Sequence, residues 1–248
     1  MNIAIAALVL LISFPACAED MQKYLSDTEE LSLQGKYEKA LERFLWFHDH
    51  ALEHEPAIYG VRLSFALSSW KQLGDSYPPA LTAMKKTRDD KTLLLENRKG
   101  NPDLFHDVVS INETLGDDDK TVTLFSRMDQ EQKDFAAKCW DMAKDAVIKA
   151  KAYDLAKKYI GNPVSEFDKV KEMYEQITGM CGGKNFGESF KAWNENKLVE
   201  KTLGLIELAI ALDETKAARE IQEKALAIVD DQRLRDAIPA GKKIDAQQ

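Results

Sequence analysis

Apolar side chains recur at spacings of three and four residues along most of this chain. Segments 37–48 and 63–73 show the spacing well, and each would carry one apolar stripe along a helix face. The same spacing predicts further helices over 104–115, 132–150, 163–180, 190–212 and 214–229. No segment alternates convincingly with a period of two between turn residues, so the pattern predicts an all-α protein of about ten to twelve helices.

Glycine and proline are scarce and fall between the predicted helices. The 248 residues include 12 Gly and 7 Pro, together about 8% against roughly 12% in average proteins. Six prolines lie between helices or in a first turn, where a missing N–H costs least: Pro56, Pro78, Pro79, Pro102, Pro163 and Pro239. Gly74 follows segment 63–73 and is predicted to be its C-cap.

Composition excludes two broad classes of protein. A hydrophobic fraction of 44% with a net charge of −8 is too apolar and too weakly charged for intrinsic disorder. The excess of acidic over basic side chains speaks against a general nucleic-acid binder, because neutralising phosphates requires clustered Lys and Arg. A folded, helical protein without nucleic-acid affinity is therefore expected.

One short pattern recurs along the chain. Gly35 is a turn residue, and it is followed by the small residue Ala40 and the large apolar residue Phe44. This order is expected where two antiparallel helices pack closely. Weaker copies follow, in one of which Lys151 stands where the turn glycine would be. The small residues of the five copies are Ala40, Ala80, Thr121, Ala156 and Ala218, separated by 40, 41, 35 and 62 residues.

These copies resemble the tetratricopeptide repeat family, whose unit is an antiparallel helix pair of about 34 residues. The resemblance implies a right-handed superhelical solenoid over 19–240, irregular at 90–103 and 161–200, followed by a polar tail at 241–248. A compact helical bundle is the alternative. The implied function is binding of a protein or peptide partner on the concave face, with no catalysis and no cofactor.

The resemblance also implies which residues face the partner. The first helix of each pair lines the concave face in this family, which transfers to nine positions here. These are Ser64, Ser68 and Lys71 from the second copy, His106, Ser110 and Glu113 from the third, and Asp141, Asp145 and Lys149 from the fourth. The set is mixed in charge and lacks the Lys and Asn pattern that grips a C-terminal carboxylate.

The first eighteen residues predict export. An unbroken apolar run at 3–12 is about half of the ~20 residues needed to cross a bilayer, and Ala16-Cys17-Ala18 suits cleavage after Ala18. A periplasmic or secreted protein is therefore expected. A lipid anchor on Cys17 is an alternative, because Phe14-Pro15-Ala16-Cys17 is similar to a weak lipobox, and an uncleaved anchor is a third possibility.

Two other kinds of site are alternatives to partner binding. His50 and His54 lie at i, i+4, a spacing that can hold Zn²⁺ with a carboxylate, although a metal-free helix end before Pro56 is favoured. Asp117, Asp118 and Asp119 are interpreted as an acidic turn that favours the start of the next helix rather than as a calcium loop. A cell-wall enzyme using Glu188 and Ser189 is the rival class, but one acid next to a serine is a weak signal.

Cys139 and Cys181 remain after removal of the predicted signal. An oxidising compartment would permit a bridge. The predicted helix register places Cys139 in mid-helix, about ten residues before the helix ends, and Cys181 just past the end of the next one. The implied offset of ~15 Å exceeds the ~7 Å Cα limit, so no bridge between them is predicted.

Overall fold

A computed structural model describes residues 20–181 and 188–238, and the regular structure of these residues is entirely helical. The thirteen α-helices are α1 Met21–Leu33, α2 Tyr37–His54, α3 Tyr59–Leu63, α4 Phe65–Ser76, α5 Pro78–Glu96, α6 Pro102–Leu115, α7 Asp118–Glu131, α8 Lys133–Lys149, α9 Tyr153–Ala156, α10 Pro163–Cys181, α11 Glu188–Ala211, α12 Thr215–Leu226 and α13 Gln232–Asp236. A 3-10 helix, Pro56–Ile58, precedes α3. The prediction of an all-α protein is confirmed.

The described residues hold slightly more helices than the ten to twelve predicted. The excess comes from α3, α9 and α13, which have five, four and five residues, too few to show a clear apolar period. The long predicted helices are all present, with ends within a few residues of those expected. Pro78, Pro102 and Pro163 begin α5, α6 and α10, as predicted from the missing N–H of proline.

Gly74 is not the C-cap that its position after an apolar stripe suggests. Helix α4 continues to Ser76 and is capped by Tyr77, whose N–H donates to Leu73 O. A Cβ on Gly74 would lie 3.0 Å from Leu81 Cβ and 3.2 Å from Leu81 N. Gly74 therefore allows α4 to approach the backbone of α5, which is a packing role rather than a terminating one.

The described residues form two compact units that divide within α5, between Thr87 and Arg88. In the first unit the core lies between α1, α2, α4 and the first turns of α5. Phe44 and Trp70 stack there with ring centroids 6.5 Å apart, and both are about 99% buried. The indole N–H of Trp70 donates to Ala80 O at 3.0 Å, which satisfies the donor and joins α4 to α5.

The second unit has one continuous core, which runs from the end of α5 to α13. Phe125 lies at its centre and contacts three other aromatic rings, those of Phe105, Trp140 and Tyr159, at centroid distances of 5.3–6.3 Å. Helix α7 packs on both α6 and α8, and α11 packs on both α10 and α12, while α6 also contacts α8. Neighbouring helices in the sequence are therefore neighbours in space, as short connections require.

Five turns between described helices share one geometry. Gly35, Arg98, Gly116, Lys151 and Asp213 all have positive φ, between 56° and 75°. At each turn the N–H of this residue donates to the carbonyl three positions earlier, and the next N–H donates to the carbonyl five positions before itself. These are the two hydrogen bonds of a Schellman cap. The expectation that Lys151 replaces a turn glycine is confirmed.

A fully buried small residue lies five positions after four of these turns, whereas the exposed Asp103 lies five positions after Arg98. Ala40, Thr121, Ala156 and Ala218 are at most 1% exposed, as is Ala80 of the second copy. The side chain of Thr121 is polar, and its hydroxyl accepts a hydrogen bond from Asn112 Nδ2 at 3.1 Å. Burial at these positions agrees with the predicted role of small residues, which allow the paired helices to approach closely.

Some predicted features lie outside the described residues, including the signal segment 1–18 with Cys17 and the tail 241–248. No helix within 20–181 and 188–238 is long and apolar enough to span a bilayer. Cys139 is a buried thiol in mid-α8, and burial raises its pKa to about 12. Nothing is described of the Cys181 side chain, so the absence of a bridge stays a prediction.

Candidate functional site

A cleft of about 590 Å³ opens in the second unit, within the range of roughly 300–1,000 Å³ typical of ligand sites. It is lined by side chains of α6, α8, α10 and α11 and by the start of α7. Helices α6, α8 and α11 each precede a shared turn that is followed after five residues by a buried small residue, and such a helix is called a leading helix here. The cleft is therefore built largely from one class of helix.

The apolar part of the lining comes from all four long helices around the cleft. It consists of Val109, Met142, Ala146, Ile148, Val170 and Leu205. Gly204 lies among these residues, and a Cβ there would come within 2.9 Å of Ile148 Cγ2. Because only hydrogen occupies that position, α11 and α8 come close together at this point of the lining.

The charged part of the lining comprises five carboxylates and four lysines. They are Glu113, Asp118, Asp145, Glu166 and Glu200, and Lys144, Lys149, Lys197 and Lys201. Several pair between different helices. Lys201 of α11 lies 2.7 Å from Asp145 of α8, and Lys144 of α8 lies 2.8 Å from Glu166 of α10. These ion pairs connect the helices that surround the cleft.

The lysines differ in how far the protein buries them. Burial lowers the pKa of Lys144, but its hydrogen bonds to Glu166 and Asp141 outweigh that effect and raise the pKa above the ordinary value. Lys149 is much more exposed, and its pKa is raised mainly by a hydrogen bond to Asp118. Both lysines are therefore cations at neutral pH, one deep and one at the rim.

The structure brings together three of the nine positions predicted to face a partner. Glu113, Asp145 and Lys149 line the cleft. His106, Ser110 and Asp141 belong to the same two helices but are not among the lining residues, and Ser110 is buried. Ser64, Ser68 and Lys71 belong to the first unit, where all three are exposed and Ser64 lies between α3 and α4.

The prediction missed the contribution of α10 and α11. Lys197, Glu200 and Lys201 of α11 line the cleft, but the repeat pattern is irregular over 161–200 and predicted no partner-facing residue in α10 or α11. Their spacing of three and four, continued by Gly204, is a signal for one shared helix face. What the sequence did not indicate is that this face of α11 turns toward α8.

The first unit has a smaller pocket, of about 260 Å³, between α1 and α2. Among the described residues that line this pocket, only Leu31 is apolar. Arg43 also lines it, but its guanidinium contacts other residues of α1. The Arg43 guanidinium lies 3.7 Å from the Tyr24 ring centroid and donates to Thr28 Oγ1 at 2.9 Å. The pocket therefore offers little apolar surface to a ligand.

The two histidines considered for metal binding lie on one face of α2. Their rings are 5.6 Å and 5.3 Å from that of Trp46, for His50 and His54 respectively. His50 Nδ1 is 3.1 Å from Glu53 Oε1. Within the described residues, no group of three or more His, Cys, Asp or Glu side chains is arranged to hold a metal ion.

Comparison of this chain with protein-family models, with curated proteins and with solved structures gave no match.

Proposed function

We propose that this protein is an exported, tetratricopeptide-like scaffold that binds a protein or peptide segment in the cell envelope through the cleft of its second unit. The observation that carries the proposal is the combination of an apolar lining with charges of both signs around it. Such a surface can bury apolar side chains of a ligand while polar groups orient it.

The repeat-like part of the proposal rests on the shared turn. Gly35, Gly116, Lys151 and Asp213 have the same left-handed conformation and the same two hydrogen bonds, each followed after five residues by a buried small side chain. A recurring turn and anchor support helix pairs of one type, stacked as a solenoid, in which the leading helices would line a concave face.

Export and location in the envelope are supported by the sequence of 1–18 alone. In the proposal, cleavage after Ala18 releases a protein that begins at Glu19. N-terminal sequencing of the protein purified from an envelope fraction tests this step independently of any binding experiment.

Affinity capture from envelope extracts tests the cleft directly. Met142 lines the cleft and is partly buried, so Met142→Glu should remove the captured partner by placing a carboxylate on the apolar surface. Met173 of α10 is 57% exposed and lies outside the lining. Met173→Glu is therefore the matched control, and it should capture the same partner as the unaltered protein.

Both variants should keep the far-ultraviolet circular dichroism of a helical protein. Equal capture by the Met142 variant, the Met173 variant and the unaltered protein would show that the partner binds elsewhere. A partner lost from both variants would also count against the cleft.

A further inference from the structure

The ion pairs of the cleft leave one carboxylate over. Every lysine of the lining has a lining carboxylate within 4 Å: Lys144 with Glu166, Lys149 with Asp118, Lys197 with Glu200, and Lys201 with Asp145, at 2.8, 2.5, 3.7 and 2.7 Å. Glu113 is the fifth carboxylate and forms no ion pair within 4 Å with any described residue, although its charge acts on Lys149 over a longer distance and contributes to the raised pKa of that lysine. The lining therefore has one more carboxylate than lysines, a net charge of −1, and Glu113 is the carboxylate without a close cation.

The position of Glu113 strengthens its negative potential. It lies in the last turn of α6, where the carbonyl end of the helix dipole already carries partial negative charge. The helix dipole does not stabilise a carboxylate at this end of the helix. An approaching cation is attracted both by the carboxylate and by the carbonyl end of the helix. The side chain is exposed, so a ligand can reach it.

Helix α6 places an apolar residue next to this carboxylate. Val109 is one turn before Glu113, at i and i+4, and both line the cleft. Residues at this spacing lie on the same helix face. A ligand lying along the face of α6 would therefore meet an apolar surface first and a negative charge one turn later.

On this basis, and resting on the proposed function of the cleft, we propose that the occupant is a peptide segment that carries an apolar side chain next to Lys or Arg. The apolar side chain contacts the surface around Val109 and Met142, and the cation pairs with Glu113. Charge complementarity at an exposed rim of this kind mainly sets partner preference and association rate.

The test uses three short synthetic peptides that differ in one respect. The first alternates Leu and Lys, and the other two carry Gln or Glu in place of each Lys. Each is labelled with a fluorophore and titrated with the full protein, with binding followed by fluorescence anisotropy at low and at high salt. We expect the Lys peptide to bind most tightly and the Glu peptide least, with the difference reduced by salt.

Glu113→Gln should weaken binding of the Lys peptide by roughly two- to fivefold, the range for an exposed ion pair, and leave the Gln peptide unchanged. Glu223→Gln is the matched control, because Glu223 is an exposed residue of α12 outside the lining. It removes the same charge from a chain of net charge −8 and should alter neither peptide. An equal effect of both variants would reduce the preference to bulk attraction and overturn the inference.

The experiment separates this inference from the proposed function. If Met142→Glu abolishes binding but Glu113→Gln leaves the preference for Lys over Gln intact, the cleft binds peptides and the assignment of the cation to Glu113 is wrong. If the Lys peptide does not bind the unaltered protein, the inference is overturned, while envelope capture still decides the proposed function.

Discussion

The helix pairs α1–α2 and α6–α7 have the same turn and the same spacing but different interiors. Five residues after the turn, the first pair buries Ala40 and the second buries Thr121. Thr121 accepts a hydrogen bond from Asn112, which in turn accepts one from the buried Arg88 at 3.1 Å. The first pair thus encloses apolar atoms at this position, and the second encloses the edge of a polar network.

The surfaces beside these pairs differ as well. The pocket between α1 and α2 is small and mostly charged, whereas the cleft that α6 shares with α8, α10 and α11 is about twice as large and has an apolar surface. A shared turn and a shared anchor determine how two helices pack against each other. They leave the outward positions free to vary, and those positions determine which pair can bind a ligand.

The largest expected effect compares the large apolar residue of each pair. Phe44 and Phe125 both lie four positions after the anchor and are at most 1% exposed. Removal of a buried phenyl ring costs about 3–5 kcal/mol. We expect Phe44→Ala and Phe125→Ala to destabilise their own units by similar amounts in this range.

Native-state hydrogen exchange can resolve the two units through the amides of α2 and of α7. Similar losses of stability at the two sites would support the structural equivalence of the two helix pairs. A loss below about 1 kcal/mol at either site would show that the ring is not part of a tightly packed core there.

A smaller effect is expected from exchanging the turn residues. Lys151 and Gly116 have φ of 56° and 75°, a region that costs a residue with a Cβ about 1–2 kcal/mol. Gly116→Lys should therefore lower the free energy of unfolding by about 1–2 kcal/mol. Lys151→Gly should raise it by a smaller amount, because glycine also loses more chain entropy on folding.

Lys151 also forms an ion pair with Glu207, 2.8 Å away, which the glycine variant loses. Lys151→Ala is the control, since it removes the ion pair but keeps a Cβ in the strained conformation. Denaturant titration should rank the glycine variant above the alanine variant. The reverse order would mean that a side chain at position 151 causes no backbone strain, in contrast to the strain expected for a side chain at position 116.

The smallest effect concerns pH and the polar interior of α6–α7. A hydrogen bond from Arg88 lowers the pKa of Asp117 below its ordinary value of 3.8. Partial burial raises the pKa and the charge of Lys120 lowers it, and the net shift is downward. The ionised carboxylate is therefore favoured in the folded state. Its stabilisation is present above about pH 4 and is lost as pH falls through the lower, folded pKa.

Asp117→Asn should therefore be less stable than the unaltered protein at pH 7, and the difference should shrink as the solution is acidified toward about pH 2. Asp119→Asn, in the same turn, is the control. Thermal unfolding midpoints across this range provide the measurement. A difference that stays constant with pH would show that Asp117 contributes shape or a neutral hydrogen bond rather than charge.

Much of the helical framework was predictable from local chemistry. Apolar spacing located the long helices, prolines located the starts of α5, α6 and α10, and the correspondence of Lys151 with a turn glycine followed from pattern alone. Gly74 was misinterpreted because glycine serves both as a helix terminator and as a point of close approach. Only the 3.0 Å separation from Leu81 Cβ distinguishes the two roles.

The candidate site was predictable only in part. Transfer by repeat position found Glu113, Asp145 and Lys149, because α6 and α8 follow the spacing of the pattern. It missed Lys197, Glu200 and Lys201, because the interval between Ala156 and Ala218 is 62 residues and gives no register for α11. The face of α11 that lines the cleft is determined by packing against α8. The spacing of residues within α11 does not indicate that packing.

The order and approximate length of the helices, the turns between them and the small buried anchors are determined by the sequence itself, because each depends on residues within one or two helical turns. The cleft, the pairing of its four lysines and the one carboxylate without an ion pair within 4 Å are decided by tertiary structure. They depend on side chains up to 56 positions apart, such as Asp145 and Lys201, which meet where α11 packs against α8 and Gly204 lies close to Ile148.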